Sequence, residues 1–290
     1  MKLASPDFIA EVSSNHHRDL DRCLEFIDTA ASIGCAGVKF QIFQIDKLFA
    51  PQVVNNSDAH RKRRAWELPL EFIPVLAQRS AELGIQFACT PFYIEAVAEL
   101  NDYVDFFKIA SYELPWTDLL VACSKTGKPL VLSTGMATIG EVRQAVNVMR
   151  TNGCQDLTLL HCVSGYPTPV SECNLAALET IRRDCDCATG WSDHSADPAV
   201  IYRAVHRWGA DMIEFHLDLD SKGEEYAQGH CWLPHEIEPV IKAIKSGLDA
   251  DGDGRKIPLP SEIADRDWRA DPSDGLRPMK HRRNDFLIKR

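Results

Sequence analysis

Two histidines each close a short apolar run, Cys187-Ala-Thr-Gly-Trp-Ser-Asp-His194 and Met212-Ile-Glu-Phe-His216. If both runs are adjacent strands of one parallel barrel, their carboxyl ends aim two imidazoles at one spot. That pairing suits a divalent metal able to polarise a carbonyl. Other reactive residues fall at the ends of other apolar runs: Glu11 followed by Asn15 and His16, Lys39 with Gln41, Thr90, Lys108 with Ser111 and Glu113, Ser133 and Thr134, His161 with Ser164 and Tyr166, Ser192 with Asp193, and Glu214. Two lysines among serine and threonine hydroxyls suit a phosphate or a carboxylate. Carboxylates beside lysines suit proton transfer.

Each of these residues also has a plain structural reading. Lys39 and Lys108 lie within apolar runs, where a buried lysine commonly pairs with a carboxylate, and Glu11 and Glu113 are at hand as partners. His161 reads equally as a core histidine, and Ser133-Thr134-Gly135 as an ordinary strand-to-helix turn. The weight lies in the convergence, since every member falls at the same end of successive runs.

The elements that must position them follow from the pattern of apolar residues. Strands are expected at Phe8–Val12, Val38–Ile42, Gln86–Cys89, Phe106–Ile109, Leu130–Ser133, Leu157–Cys162, Ala188–Trp191 and Met212–His216. Helical patterns lie between them, among them Leu20–Ser32, Leu70–Leu83, Ile139–Met149 and Pro198–Trp208. Glycines 34, 84, 127, 153 and 209 follow helical stretches, where a left-handed residue stops the helix. Strand–helix repeats of this kind mean parallel strands with right-handed crossovers. The expected fold is therefore an α/β (β/α)8 TIM barrel, with a doubly wound open sheet as the alternative. In a barrel the chemistry sits at the carboxyl ends of the strands.

Two stretches fall outside the repeats. Residues 43–69 form an insertion after the second strand that holds Arg61-Lys62-Arg63-Arg64. It is expected as a loop on the active face, with its basic run as solvated surface. Beyond residue 248 the pattern fades, so residues 1–248 are expected as the barrel and 249–290 as an irregular tail without a domain of its own. Asp251-Gly-Asp-Gly254 in that tail lacks the ligand ladder of a calcium loop.

Bulk properties narrow the partners. With 290 residues and 45% hydrophobic content, the chain suits one barrel plus an extension. A formal charge of -10 argues against a nucleic-acid or anionic-membrane surface. The ten cysteines are scattered through mostly apolar segments, as expected of free thiols in a reducing cytoplasm. With neither a secretory signal nor a spanning apolar stretch, a cytoplasmic protein is expected.

The ordered motifs resemble the sialic-acid synthases. They are Ile9-Ala-Glu-Val with Asn15-His16, Val38-Lys-Phe-Gln41, Thr90-Pro-Phe92, Phe107-Lys-Ile-Ala-Ser-Tyr-Glu113, Leu132-Ser-Thr-Gly-Met136, Leu160-His-Cys162 with Tyr166-Pro-Thr168, Ser192-Asp-His194 and Ile213-Glu-Phe-His216. The match runs in order from residue 8 to about residue 245 and continues weakly through Pro260-Ser-Glu262. The resemblance implies a metal-dependent barrel that condenses phosphoenolpyruvate with an aldehyde sugar such as N-acetylmannosamine. The products would be a 2-keto-3-deoxy sugar acid and phosphate.

By that resemblance Lys39, Thr90, Lys108, Ser111, Ser133 and Ser192 hold phosphoenolpyruvate, with Ser164 nearest to a family asparagine that is replaced here. His194 and His216 hold the metal, manganese first, with magnesium or cobalt as alternatives. Glu11 and Glu113 handle protons and water, while Gln41, Tyr166 and Glu214 support the substrates and the metal pocket.

The chain also departs from the family pattern. Phe215 stands where the family has lysine, and Gly229 before His230 where it has an acid that takes part in the chemistry; Asp218, Glu224 and Glu225 are the nearby acids. The family's antifreeze-like domain, which caps the partner subunit's site and brings an arginine to the sugar, is expected to be absent from a chain reaching only Arg290. Arg269 or Arg277 of the tail then becomes a candidate cation. A homodimer and a separately encoded capping protein are the expected partners, with no nucleic acid and no membrane. The departures keep two other readings open: a lyase or aldolase on a smaller keto-acid, and a degenerate subunit that binds phosphoenolpyruvate.

Overall fold

The structure, a computed structural model, describes residues 5–287. Eight parallel strands lie in sequence order: β1 (Asp7–Glu11), β2 (Gly37–Ile42), β3 (Gln86–Pro91), β4 (Phe106–Ile109), β5 (Leu130–Ser133), β6 (Leu157–His161), β7 (Ala188–Asp193) and β8 (Met212–Leu217). β1 pairs with β8 over five residues, from Asp7 opposite Met212 to Glu11 opposite His216. That pairing closes the sheet, so the expected (β/α)8 barrel is the fold and the open sheet is excluded. A short β9 (Cys231–Trp232), absent from the sequence reading, continues from β8 outside the closed ring.

The strands alternate between two apolar environments. One set of side chains, including Phe8, Val38, Phe87, Phe107, Leu132 and Phe215, packs outward in the large core shared with the helices. The other set, Ile9, Ala88, Phe106, Val131, Leu160 and Met212, forms a separate cluster that plugs the lumen. Gly190 on β7 belongs to this crowded interior, because a Cβ there would overlap the Met212 carbonyl and the Leu160 side chain. Phe215, the residue in place of the family's lysine, is fully buried and belongs to the outward set.

The helices cover the ring with their apolar stripes. Leu20–Ser32 begins where Asp19 accepts from the Arg22 backbone N–H, and it buries Cys23, Phe26, Ile27 and Ala30. Ile139–Thr151 starts with a reciprocal capping box between Thr138 and Glu141. The expected helix over 70–83 divides into a 3-10 turn, Leu70–Phe72, and a helix, Ile73–Leu83. Pro74 explains the break, since proline is tolerated in the first helical turn and not in the interior.

The insertion is structured rather than a loop. Short helices Ile45–Leu48, Pro51–Asn56 and Asp58–Lys62 lead into a turn over Arg63–Trp66. They fold over a small cluster of Phe43, Ile45 and Val54, joined by Leu48, Phe49, Trp66 and Phe92. Glu67 clamps the insertion by accepting from the Ile45 backbone N–H at 2.7 Å.

The chain divides into two compact units after Ala250. The second holds 3-10 turns and a short helix, Lys280–Arg283, tied by an Arg283–Asp274 ion pair and an edge-on contact of Trp268 with Phe286. All ten cysteines are free thiols. No helix among the described residues is long and apolar enough to cross a membrane.

Candidate active site

The strand period of two builds the site directly. Two residues toward the carboxyl end from each plug residue stand Glu11, Thr90, Lys108, Ser133, Cys162 and Glu214. The register places Lys39 opposite Glu11 and Ser192 opposite Glu214, at the same level. Above this layer opens a cavity of about 400 Å³. Of the residues singled out from sequence, Glu11, Lys39, Gln41, Lys108, Ser111, Ser133, Tyr166, Ser192, His194, Glu214 and His216 line it.

Three of the residues given a role from sequence lie off that lining. Thr90 is fully buried and accepts from the Lys39 ammonium at 3.1 Å. Glu113 is buried in the turn after β4. Ser164 lines an adjoining cavity together with Thr134, Met136 and His161. The His161 ring bonds through Nε2 to the Cys173 carbonyl oxygen at 3.0 Å.

The cavity floor is a network of buried charges. Lys39 and Lys108 are 3% and 2% exposed. Lys39 is ion-paired with Glu11, and Glu214 lies 3.8 Å from Lys39 and 3.4 Å from Lys108. Lys108 thus shares Glu214 rather than pairing with Glu113. Ser192 donates to Glu214 at 3.0 Å, and Gln41 donates to Glu11 at 2.7 Å.

These contacts set the protonation states. Burial alone would push Lys39 down, but Glu11 and Glu214 outweigh it and hold it above the ordinary lysine value. On Lys108 burial wins over Glu214, and its value falls. Burial likewise works against charge on Glu214, but Lys108 and Lys39 hold that carboxyl below the usual range. Burial raises Glu113 to about 7, with Lys108 opposing, and its Oε2 has no hydrogen-bond partner. The Ser133 hydroxyl is another buried group without a partner.

At the rim, His194 and His216 stand with ring centroids 5.4 Å apart, and Tyr166 packs 4.2 Å from the His194 ring. His194 donates through Nδ1 to the Val163 carbonyl at 2.8 Å. Burial, with His216 adding repulsion, pushes it down to about 3, so the ring is neutral. His216 Nδ1 lies 2.8 Å from Glu225. Burial opposes a proton on His216, but Cys231 and Glu225 outweigh it and hold the ring well above its ordinary value.

The donor set fits a divalent metal. Each ring commits Nδ1 to an oxygen of the protein and leaves Nε2 over, the arrangement usual for metal-bound histidine. A second donor group overlaps the first: His216, Glu225, His230 and Cys231 bring ligand atoms within 4.8 Å of one another.

Glu225, one of the three acids named near Gly229, lines the cavity, as do His230 and Arg63, which were given no role in the site. Gly229 explains part of this. It takes φ +89° and closes the helix Glu224–Gln228, so its place in the chain is used for a helix stop, and the carboxylate beside the histidines arrives from Glu225. Asp218, another nearby acid, is committed to Arg22 at 3.1 Å. Arg63 comes from the basic run, where Arg61 and Arg64 pair with Asp58 and Asp46. Its guanidinium instead stacks 5.3 Å from the Trp66 ring at the cavity wall.

Comparison with known proteins places these features in context. The model of the NeuB family matches residues 26–256. An uncharacterised protein of Methanocaldococcus jannaschii is 37% identical over 89% of this chain and 75% of its own length. The N,N'-diacetyllegionaminic acid synthase of Campylobacter jejuni is 33% identical over 88% of this chain and 80% of its own. Among solved structures, an N-acetylneuraminic acid synthetase from Leptospira borgpetersenii, crystallised with citrate, superposes with a TM-score of 0.80. It is 28% identical and the match covers 93% of each chain.

Proposed function

The chain belongs to the NeuB family, and from that membership we propose a metal-assisted condensation of phosphoenolpyruvate with an aldehyde sugar resembling N-acetylmannosamine. Synthases of this family join phosphoenolpyruvate to sugar substrates, and this chain is such an enzyme. The observation that carries the proposal is the cavity floor. Two buried ammonium groups stand with Ser111, Ser133 and Ser192 around a space of about 400 Å³, and the Ser133 hydroxyl has no protein partner. Buried polar groups seek partners, and a phosphate or carboxylate offers several acceptors at once.

In this reading Lys39, Lys108 and the three serines hold phosphoenolpyruvate, with Thr90 bracing the Lys39 ammonium and Ser164 alongside. His194 and His216 would hold manganese, magnesium or cobalt, which when bound polarises the acceptor carbonyl. The enol carbon of phosphoenolpyruvate attacks the aldehyde carbon, forming the new C–C bond as the carbonyl oxygen takes up a proton. Water adds at C2, and phosphate leaves by C–O cleavage, giving one keto-acid and one phosphate for each water consumed. Glu113, held near 7 by burial, is poised to give or take a proton at neutral pH. Glu11, oriented by Gln41 and Lys39, positions the water. The two lysines offset charge on the departing phosphate.

The test is phosphate release from phosphoenolpyruvate with manganese across a panel of aldoses and N-acetylhexosamines, with mass spectrometry of the product. Release that depends on one sugar, with stoichiometric keto-acid, supports the proposal. Full activity in metal-free enzyme, or release without any sugar, defeats it.

A further inference from the structure

The helix Glu224–Gln228 lies between β8 and β9 and belongs to no strand of the ring, yet it carries the carboxylate bound most tightly into the histidine cluster. Glu225 Oε2 lies 2.8 Å from His216 Nδ1 and 3.6 Å from His230 Nε2. Its Oε1 accepts from the hydroxyls of Ser13 at 2.5 Å and Ser14 at 2.8 Å, and from the Ser14 backbone N–H at 3.3 Å. Partners from the β1 loop, β8 and the approach to β9 thus hold one side chain. A carboxylate only accepts hydrogen bonds, so the His216 nitrogen facing it carries the hydrogen.

The helix that delivers Glu225 is itself seated. Gly223, just before it, donates its N–H to Asp218 Oδ2 at 3.0 Å. A Cβ at Gly223 would stand 2.5 Å from Asn15 Oδ1 and 3.1 Å from Asp218 Oδ2. Asp218 is fully buried and pairs with Arg22. The absence of a side chain at Gly223 therefore lets the helix settle onto a platform of Asn15, Asp218 and Arg22, and that platform sets where Glu225 reaches.

We propose that Glu225 is the positioning residue of His216. It holds a hydrogen on Nδ1 and sets the tilt of the ring, so that Nε2 is the nitrogen that sheds its proton when a ligand binds, as the Val163 carbonyl keeps Nδ1 occupied on His194. A carboxylate behind a metal-binding imidazole orients the ring and raises its basicity. What His216 then binds rests on the metal reading above; the fixed tautomer does not.

The experiment compares wild type with Glu225→Gln, Glu225→Asp and Gly223→Ala, by ¹⁵N NMR of the His216 ring in metal-free protein over a pH series that reaches the neutral ring, and by calorimetric titration with manganese alone. Glu225→Gln keeps the volume and removes the charge. It should lose the Nδ1–H signature and weaken manganese binding by about 10–100-fold, while calorimetric affinity for phosphoenolpyruvate without metal stays at the wild-type value. Glu225→Asp should recover part of both signals. Gly223→Ala keeps the carboxylate and displaces its helix, so it should shift both readouts in the same direction. A wild-type His216 tautomer in Glu225→Gln overturns the proposal, and so does unchanged manganese affinity. If wild-type protein binds no manganese, the metal reading fails on its own, and the NMR arm still decides the role of Glu225.

Discussion

Glu214 Oε1 lies 3.4 Å from the Lys108 ammonium, although β8 and β4 stand on opposite sides of the ring. The contact spans the lumen. With Lys39 3.8 Å away and Ser192 donating at 3.0 Å, one carboxylate joins β2, β4, β7 and β8. Breaking a buried pair strands its partners, which costs roughly 3–5 kcal/mol. Glu214→Ala should therefore lower stability by about that much in urea titrations. Saturating phosphoenolpyruvate should restore more stability to the variant than it adds to wild type, because the ligand brings back the missing negative charge.

Removal of either ammonium acts on the ligand instead. Lys39→Met and Lys108→Met should each weaken calorimetric binding of phosphoenolpyruvate by about 10–100-fold, the loss of one hydrogen bond to a charged group. Burial lowers the Lys108 value, so a rising-pH titration should show wild-type affinity falling before the ordinary lysine range. The same titration on Lys108→Met should lack that early fall.

The buried Glu113 carboxyl gives a signed pH effect. Its folded value of about 7 lies above the unfolded one, so the folded state holds an extra proton between roughly pH 4.5 and 7. Stability from this group is complete below that window and is lost as pH rises through it. His194, held down to about 3, has the opposite slope: its contribution is present above the ordinary histidine range and declines as pH falls. The useful quantity is therefore the difference between wild type and Glu113→Gln. Urea unfolding at pH 5 and pH 7.5 should show wild type losing up to about 3 kcal/mol relative to the variant. Parallel behaviour of the two proteins would contradict a proton held on Glu113.

The histidine pair should behave as ligands rather than as packing. His194→Ala and His216→Ala should each cut phosphate release by at least on the order of 100-fold, beyond the 10–100-fold typical of an outer-shell partner. Chelator should silence the wild type and added manganese restore it, with unchanged circular dichroism throughout. Residual activity near wild type in either variant would remove that histidine from the metal site.

The architecture was legible because strand interiors are apolar and end in polar residues. Phe106–Ile109 and Leu130–Ser133 match the expectation residue for residue, whereas β7 runs on to Asp193 and β8 to Leu217. At β7 the boundary falls short where polar residues sit on regular strand, since Ser192 and Asp193 carry the composition of a turn while their backbone remains in the ladder. β9 escaped notice because two residues carry no periodicity. The insertion read as a loop because its helices are short, from four to six residues, and are held by the Phe43–Ile45–Val54 cluster rather than by propensity. Glu225 was named only as one of three acids near Gly229, and its place beside His216 was hidden for a related reason. It sits in a polar stretch with no repeat, and only the chain's return to the His216 side of the ring brings it inward. For Arg63 one signal was available: aromatic residues at 49 and 66 flank the basic run.

The alternation that separates plug from floor also guards the assembly of the barrel. On β4, Phe106 faces the lumen, Phe107 the helices, Lys108 the lumen and Ile109 the helices. A slip of one residue would turn Lys108 out among the apolar helix contacts and force Phe107 inward. The same exchange would befall Glu214 against Phe215 on β8 and Lys39 against Phe40 on β2. Misaligned pairing thus exposes itself at once through a charge in hydrocarbon. The residues that serve the chemistry double as proofreaders of strand alignment, and a variant that neutralises several of them would relax the barrel's grip on its own register as well as its hold on substrate.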